Sequence, residues 1–176
     1  TNTVVDAENG YIFGLDVGLK SITDYVELTD SSCSLEYDTL TGEVGTGSIT
    51  NIVRNGTIVD SYTVIIYGDV NGDGWYDAED AFLVNLIVNG LLTEDKLPGY
   101  MWTAADCNHD GVINEFDVEL LMGAGVRKND IDQDAAQTDL VTQTAYIEYA
   151  SLIDQSAGMY PDIVPMPDTD DAEQGT

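Results

Sequence analysis

The apolar positions of this chain fall into two rhythms, one on each side of residue 68. Before it they alternate. Tyr11–Leu15 reads as a short strand, and Cys33, Leu35 and Tyr37 alternate with Ser34 and Glu36, the period of a half-buried strand. Ile49–Arg54 and Thr57–Tyr67 flank Asn55-Gly56, the pair favoured in two-residue hairpin turns because both residues tolerate left-handed backbone angles. One helix interrupts this pattern: Ser21–Leu28, with Ser21 as cap, Asp24 three residues on, and Ile22, Tyr25 and Val26 on one face. Thr41–Ser48 is a glycine-rich turn. Residues 1–67 therefore predict a small mostly-β unit.

After residue 68 the spacing becomes helical. Asp80–Asn89 places Ala81, Leu83, Val84, Ile87 and Val88 on an apolar face and ends at Gly90. Leu91–Ala105 reads as a connector with a turn at Leu97-Pro98-Gly99, then Tyr100, Met101 and Trp102 as core fill. A shorter helix, Asp117–Met122, is expected to stop at Gly123-Ala124-Gly125 and to pack Leu120 and Leu121 on Phe82 and Ile87. Asp130–Ala157 predicts a further helix with a broad apolar stripe through Leu140, Tyr146, Ile147 and Leu152. Tyr160–Thr176 carries prolines and acids without a base, a composition that cannot support a core and predicts an extended tail. The fold class is α+β, in segments 1–67, 68–125, 126–160 and 161–176.

Between the strands and the first helix lies Asp69–Asp80, DVNGDGWYDAED. Its oxygen side chains stand at Asp69, Asn71, Asp73, Asp77 and Asp80, the Trp75 carbonyl adds another ligand, and Gly74 allows the bend. A hard cation such as calcium takes six to eight oxygens, and a twelve-residue loop with this spacing can wrap one ion. The pattern returns 37 residues on, in DCNHDGVINEFD, with Asp106, Asn108, Asp110, the Val112 carbonyl, Asn114 and Asp117 as ligands and Gly111 at the bend. A single copy could be a solvated Asp/Gly turn. Two copies with every ligand position filled point to two Ca2+ ions. Tyr76 and Ile113, each two places past its glycine, are expected to join the loops by a short β contact. The first loop offers four ligand carboxylates and the second three, so the second is expected to bind more weakly.

Both loops end in Asp where ordinary EF-hands end in Glu, and the first is entered by strand-like Ser61–Gly68. Loops followed by helices but not preceded by them, given twice in GDVNGDGWYDAED and ADCNHDGVINEFD, resemble the dockerin family over a third of the chain. The resemblance implies an all-α calcium-dependent module that binds a cohesin of a scaffold or cell-surface protein. It implies attachment of a parent protein to an extracellular polysaccharide-degrading complex of anaerobic bacteria. It also implies partner contacts late in each loop and on the helix faces: Ala78, Glu79, Asn85 and Leu86 in the first repeat, Glu115, Phe116, Met122 and Gly123 in the second. Those sets differ, so one binding orientation is expected, with Phe116 and Leu86 as anchors. The β unit weakly resembles the immunoglobulin-like X-modules that often precede dockerins, and would brace the first loop.

Composition narrows the rest. There are 33 acidic residues against five basic, a net charge of −28, which two calcium ions would reduce only slightly. Such a surface repels phosphate backbones and anionic lipid, so no nucleic-acid partner is expected. No stretch approaches the roughly 18 apolar residues of a membrane span, so no membrane insertion is expected either. The chain opens at Thr1 like a processed fragment, and secretion follows from the resemblance alone. A monomer apart from the cohesin complex is expected. No catalytic residues emerge: the one histidine, His109, sits in a calcium loop at an outward position, as does Cys107, and the loops claim the closely spaced carboxylates. Glycosidase chemistry needs two carboxyls facing across a cleft, which so small a β unit does not offer. A helix-loop-helix calcium sensor would need entering helices, which neither loop is read to have. The alternative is a calcium-stabilised adhesion or carbohydrate-binding module without a cohesin partner, for which Tyr11, Tyr25, Tyr37, Tyr62 and Tyr67 offer stacking rings.

Overall fold

The computed structural model describes residues 3–134, all within one compact unit. Five strands form one sheet: β1 (Val4–Asp6), β2 (Tyr11–Phe13), β3 (Cys33–Asp38), β4 (Ile49–Arg54) and β5 (Thr57–Val64), in the order β1-β2-β5-β4-β3. All neighbours are antiparallel except β2 and β5. The mostly-β reading of the first segment holds. The described strands make one sheet, without the second sheet of an immunoglobulin-like sandwich. Asn55 and Gly56 have φ of 53° and 75°, as the hairpin turn between β4 and β5 requires.

Several expected elements are shorter. Gly14, at φ 75°, ends β2 after Phe13. The expected helix Ser21–Leu28 is one 3-10 turn, Ile22–Asp24, although Ser21 does cap it through Thr23 N–H (3.3 Å). Strand β5 stops at Val64, three residues early, because Ile66 is paired to a side chain instead of a strand. Thr46 Oγ1 accepts from Ile66 N–H and donates to the Ile66 carbonyl, both at 3.0 Å.

Alternate side chains at this sheet end feed two cores. Ile12, Val64 and Ile66 join Leu15, Leu19, Ile22, Val44 and Tyr62 on one side. Phe13, Ile65 and Tyr67 point the other way, into a core shared with α1 (Ala78–Val88), α2 (Gly99–Ala105) and α3 (Glu115–Gly125). The strand-to-loop junction is thus buried on both sides, with no linker.

The helices depart from expectation in four places. Both α1 and α3 begin two residues early, for a capping reason given below. Helix α2 replaces the expected irregular connector: Pro98 precedes its first residue, where a missing N–H costs nothing, and Ala104 and Ala105 are fully buried. Helix α3 is as long as α1, at 11 residues, and continues through Gly123. A Cβ on Gly123 would stand 1.9 Å from Asn129 Oδ1, so this glycine lets the returning chain cross the helix, where Asn129 Nδ2 donates to Leu120 O (3.1 Å). Phe82 is 61% exposed, so Leu121 shares its core with Ile87 but not with Phe82.

The first five residues of the helix expected at Asp130–Ala157 are not helical. Ile131 and Gln133 are buried there, with Gln133 Oε1 accepting from Tyr67 N–H (2.9 Å) and its amide donating to Tyr67 O (2.8 Å). The remainder of that segment and the acidic tail lie outside the described residues. Both cysteines are free.

Candidate functional site

The loop Asp69–Asp80 is tied by its own amides. Asp69 Oδ1 accepts from Gly72 N–H (2.9 Å) and Oδ2 from Gly74 N–H (3.1 Å). Asn71 Oδ1 accepts from Asp73 N–H and Asp73 Oδ1 from Trp75 N–H, each at 2.9 Å. Asp80 reaches back across the loop: Oδ1 takes Val70 N–H (2.8 Å) and Asn71 N–H (3.0 Å), and Oδ2 takes Asp77 N–H (2.9 Å). The loop Asp106–Asp117 repeats the plan. Asp106 holds Asp110 and Gly111 N–H (3.2 and 2.9 Å), Asp110 holds Val112 N–H (2.8 Å), and Asp117 holds Cys107, Asn108 and Asn114 N–H (2.8, 3.3 and 2.8 Å).

These bonds explain where the helices start. Asp77 and Asn114, each ninth in its loop, are N-caps, accepting from Glu79 N–H (2.7 Å) and Phe116 N–H (2.8 Å). The twelfth residues, Asp80 and Asp117, sit at the third helical position and complete reciprocal capping boxes. The residue that closes each loop is therefore already inside the helix. Asn114 also turns its amide onto the Val112 carbonyl (3.2 Å).

Asp69, Asp80 and Asp117 are fully buried. Burial pushes the Asp69 carboxyl up to about 7, opposed by the Thr46 and Gly74 N–H groups and reinforced by the Asp80 and Asp73 charges. Burial likewise raises Asp80 to about 6 and Asp117 to about 7, and raises Asp106. The ion pairs Lys20–Glu43 and Arg54–Asp30 include none of these four carboxylates. No group of three or more His, Cys, Asp or Glu stands at metal-binding spacing among the described residues. The donor sets, which mix carboxylates with Asn71, Asn108 and main-chain oxygens, nevertheless fit a hard divalent cation. They are all oxygen, they bring several buried or half-buried carboxylates together, and each is held by backbone donors that leave further lone pairs.

The loops differ in what lies outside them. The first is pressed against the β unit. Thr46 N–H donates to Asp69 Oδ2 (2.8 Å), Gly18 N–H to the Gly74 carbonyl (2.7 Å) and Trp75 Nε1 to Glu43 Oε2 (2.8 Å). The second is entered directly by α2, against expectation, so only the first loop lacks the entering helix of a calcium sensor. Cys107 is buried, not outward, because the second position of each loop faces the core, as Val70 does in the first. His109 is also turned inward, its ring 3.7 Å from that of Tyr67. Tyr76 and Ile113 pack on the shared core, with no β bridge between the loops among the described residues.

On the helix faces, Ala78, Glu79 and Asn85 are exposed on α1, with Leu86 half-buried. On α3, Glu115 and Met122 are exposed and Phe116 is half-buried. Sequence reasoning missed Phe82, which had been assigned to the core because it is apolar. It lies one turn beyond Ala78 and, with Asn71, Glu79 and Leu83, lines a shallow hollow of about 460 Å³. Its counterpart on α3 is Glu119. Of the tyrosines considered for stacking, Tyr62 and Tyr67 are buried.

Residues 67–124 match the family model for the Dockerin type I domain. The match takes in both loops and all three helices almost to the end of α3, a third of the chain. Domains of this family are non-catalytic modules that bind calcium and dock onto cohesin modules. No curated protein and no solved structure matches the chain.

Proposed function

We propose that this chain is a calcium-dependent docking module that binds a cohesin and so attaches its parent protein to an extracellular polysaccharide-degrading complex. The observation that carries the reading is the family match over two loops that share one pattern of amide-to-carboxylate bonds and bury their closing carboxylates, Asp80 and Asp117. Two Ca2+ ions are assigned, one to Asp69, Asn71, Asp73, Trp75, Asp77 and Asp80, the other to Asp106, Asn108, Asp110, Val112, Asn114 and Asp117. When bound, each cation neutralises the carboxylates that otherwise repel one another, so binding is in part folding free energy. The loop amides orient the ligand oxygens, and the capping boxes pass that order to the first turns of α1 and α3.

The docking face is assigned to the exposed stripes of α1 and α3, with Phe82 as the principal apolar anchor in place of Leu86 and Phe116. Interface cores favour a desolvated aromatic beside a hollow. The two stripes offer Phe82 against Glu119 and Asn85 against Met122, so one orientation should dominate. The parent protein is secreted in this reading. The test is a panel of cohesins assayed with calcium and with chelator. Capture by at least one cohesin, lost on chelation, is the expected result; failure of the whole panel in saturating calcium rejects the assignment.

The alternative, a carbohydrate-binding or adhesion module, has one observation in its favour. Trp75 is half-exposed in a cleft of about 480 Å³ lined also by Asp77, Arg127 and Asp130. A pull-down on insoluble polysaccharide with Trp75→Ala as control separates it from the docking reading.

A further inference from the structure

We propose that the Val44–Thr46 segment of the β unit is a positioning wall for the first cation loop, and that it makes this loop hold its cation more tightly than the second. The inference rests on reading Asp69–Asp80 as a cation loop and adds which residues outside the loop set its affinity.

The contacts are backbone against backbone. A Cβ on Gly45 would stand 2.6 Å from Gly74 N, 2.7 Å from Asp69 Oδ2 and 2.8 Å from Gly72 O. One on Gly72 would stand 2.4 Å from Thr46 O, and one on Gly74 would stand 2.9 Å from Val44 O. Three glycines on two segments thus remove the side chains that would hold the surfaces apart. Thr46 closes the contact. Its N–H donates to Asp69 Oδ2 (2.8 Å), a donor from outside the loop to its first ligand residue, and its hydroxyl is pinned by both backbone groups of Ile66. Val44, Gly45 and Thr46 are all buried, so water does not compete for these bonds.

Among the described residues the second loop has no backbone packed against its bend glycine. A Cβ on Gly111 would meet nothing within 4 Å, and the donors to Asp106, Asp110 and Asp117 come from the loop itself. Affinity in loops of this kind is tuned by ligand charge and by rigidity. The first loop has one more ligand carboxylate, and a wall that orders it before the ion arrives, which lowers the ordering cost of binding.

The test uses the full chain, 15N-labelled and titrated with calcium chloride. The Gly74 and Gly111 amides donate to Asp69 and Asp106, so each reports its own loop. In the unaltered chain Gly74 should reach its midpoint at lower calcium than Gly111. Gly45 has no left-handed φ, so Gly45→Ala introduces the clash without backbone strain. It should raise the Gly74 midpoint about tenfold, the usual penalty for disturbing a group behind a metal ligand, and leave Gly111 in place. Thr46→Val keeps the volume but loses the Ile66 bonds, and should move the same amide in the same direction; it carries the test if Gly45→Ala does not fold. Unchanged Gly74 midpoints, equal shifts at both amides, or earlier filling at Gly111 in the unaltered chain would each overturn the proposal. Silence of both amides toward calcium in the unaltered chain would instead sink the cation reading itself.

Discussion

The fourth position of each twelve-residue loop shows how two copies of one pattern came to differ. In the first it is Gly72, in the second His109, and both have left-handed backbone, φ 77° and 59°. The loop geometry demands that angle in both places. The surroundings decide the residue. At Gly72 the Thr46 carbonyl leaves no room for a Cβ. At His109 there is space beside Tyr67, and an imidazole fills it. The residue at a position between the repeated oxygen side chains is thus dictated by whatever the loop leans on. The first loop leans on the buried turn between β3 and β4. The second leans on the Tyr67 ring, on α2 and, through His109, on the backbone at Asp132.

The largest effect expected is from calcium removal, and it should fall unevenly. With free calcium at a hundred times Kd, each site would contribute about 2.7 kcal/mol to stability. Chelation should therefore lower the unfolding midpoint strongly. Amide exchange in chelator should then rise first and furthest in Asp106–Asp117, while Thr46 and Gly18 keep Asp69–Asp80 partly protected. Equal loss of protection in both loops would remove the distinction drawn above.

The bend glycines give a like-for-like comparison. Gly74 and Gly111 share a loop position and have φ of 89° and 84°. Replacing either by Ala carries the cost of left-handed backbone, about 1 kcal/mol. At Gly111 that should be the whole effect. At Gly74 the new Cβ also meets Val44 O at 2.9 Å. The total there should reach about 3 kcal/mol, as overpacking against backbone adds to strain. Urea unfolding of the two variants in saturating calcium measures the gap, and equal losses would mean that the β unit yields freely.

The helices differ as the loops do. Phe82→Ala should weaken cohesin binding by about 2 kcal/mol, as for a central aromatic anchor, with little change in stability because the ring is mostly in water. Glu119→Ala, its counterpart on α3, should change affinity far less. Calorimetry against one captured cohesin decides between them. Equal effects of the two substitutions would indicate that both orientations of the module are used.

What was legible beforehand follows a physical line. The two loops read clearly because the same oxygen side chains recur at the same spacing 37 residues apart. The helix starts were misplaced by two residues because Asp80 and Asp117 serve as loop closure and helix interior at once. Helix α2 was missed because Pro98 and Gly99 read as breakers, although proline suits the start of a helix. Phe82 was placed inside on hydrophobicity alone, and Cys107 outside on loop position alone; tertiary packing reversed both. Least legible was the wall at Val44–Thr46. A glycine-rich turn has the same composition whether it faces water or a second backbone, and only the three-dimensional fold brings Gly45 against Gly74.

The smallest expected effect tests the second loop's lighter support. His109→Gly removes the ring beside Tyr67 and its hydrogen bond to the Asp132 backbone, each worth about 1 kcal/mol. It also relieves the left-handed angle at residue 109, which refunds about as much as one of those contacts. Glycine then adds freedom to the unfolded chain, at a cost below about 1 kcal/mol. The terms partly cancel, so net destabilisation should stay below about 2 kcal/mol. Chemical unfolding in saturating calcium measures it. A loss as large as that expected for Gly74→Ala would show that the ring supports the second loop as firmly as the Val44–Thr46 turn supports the first.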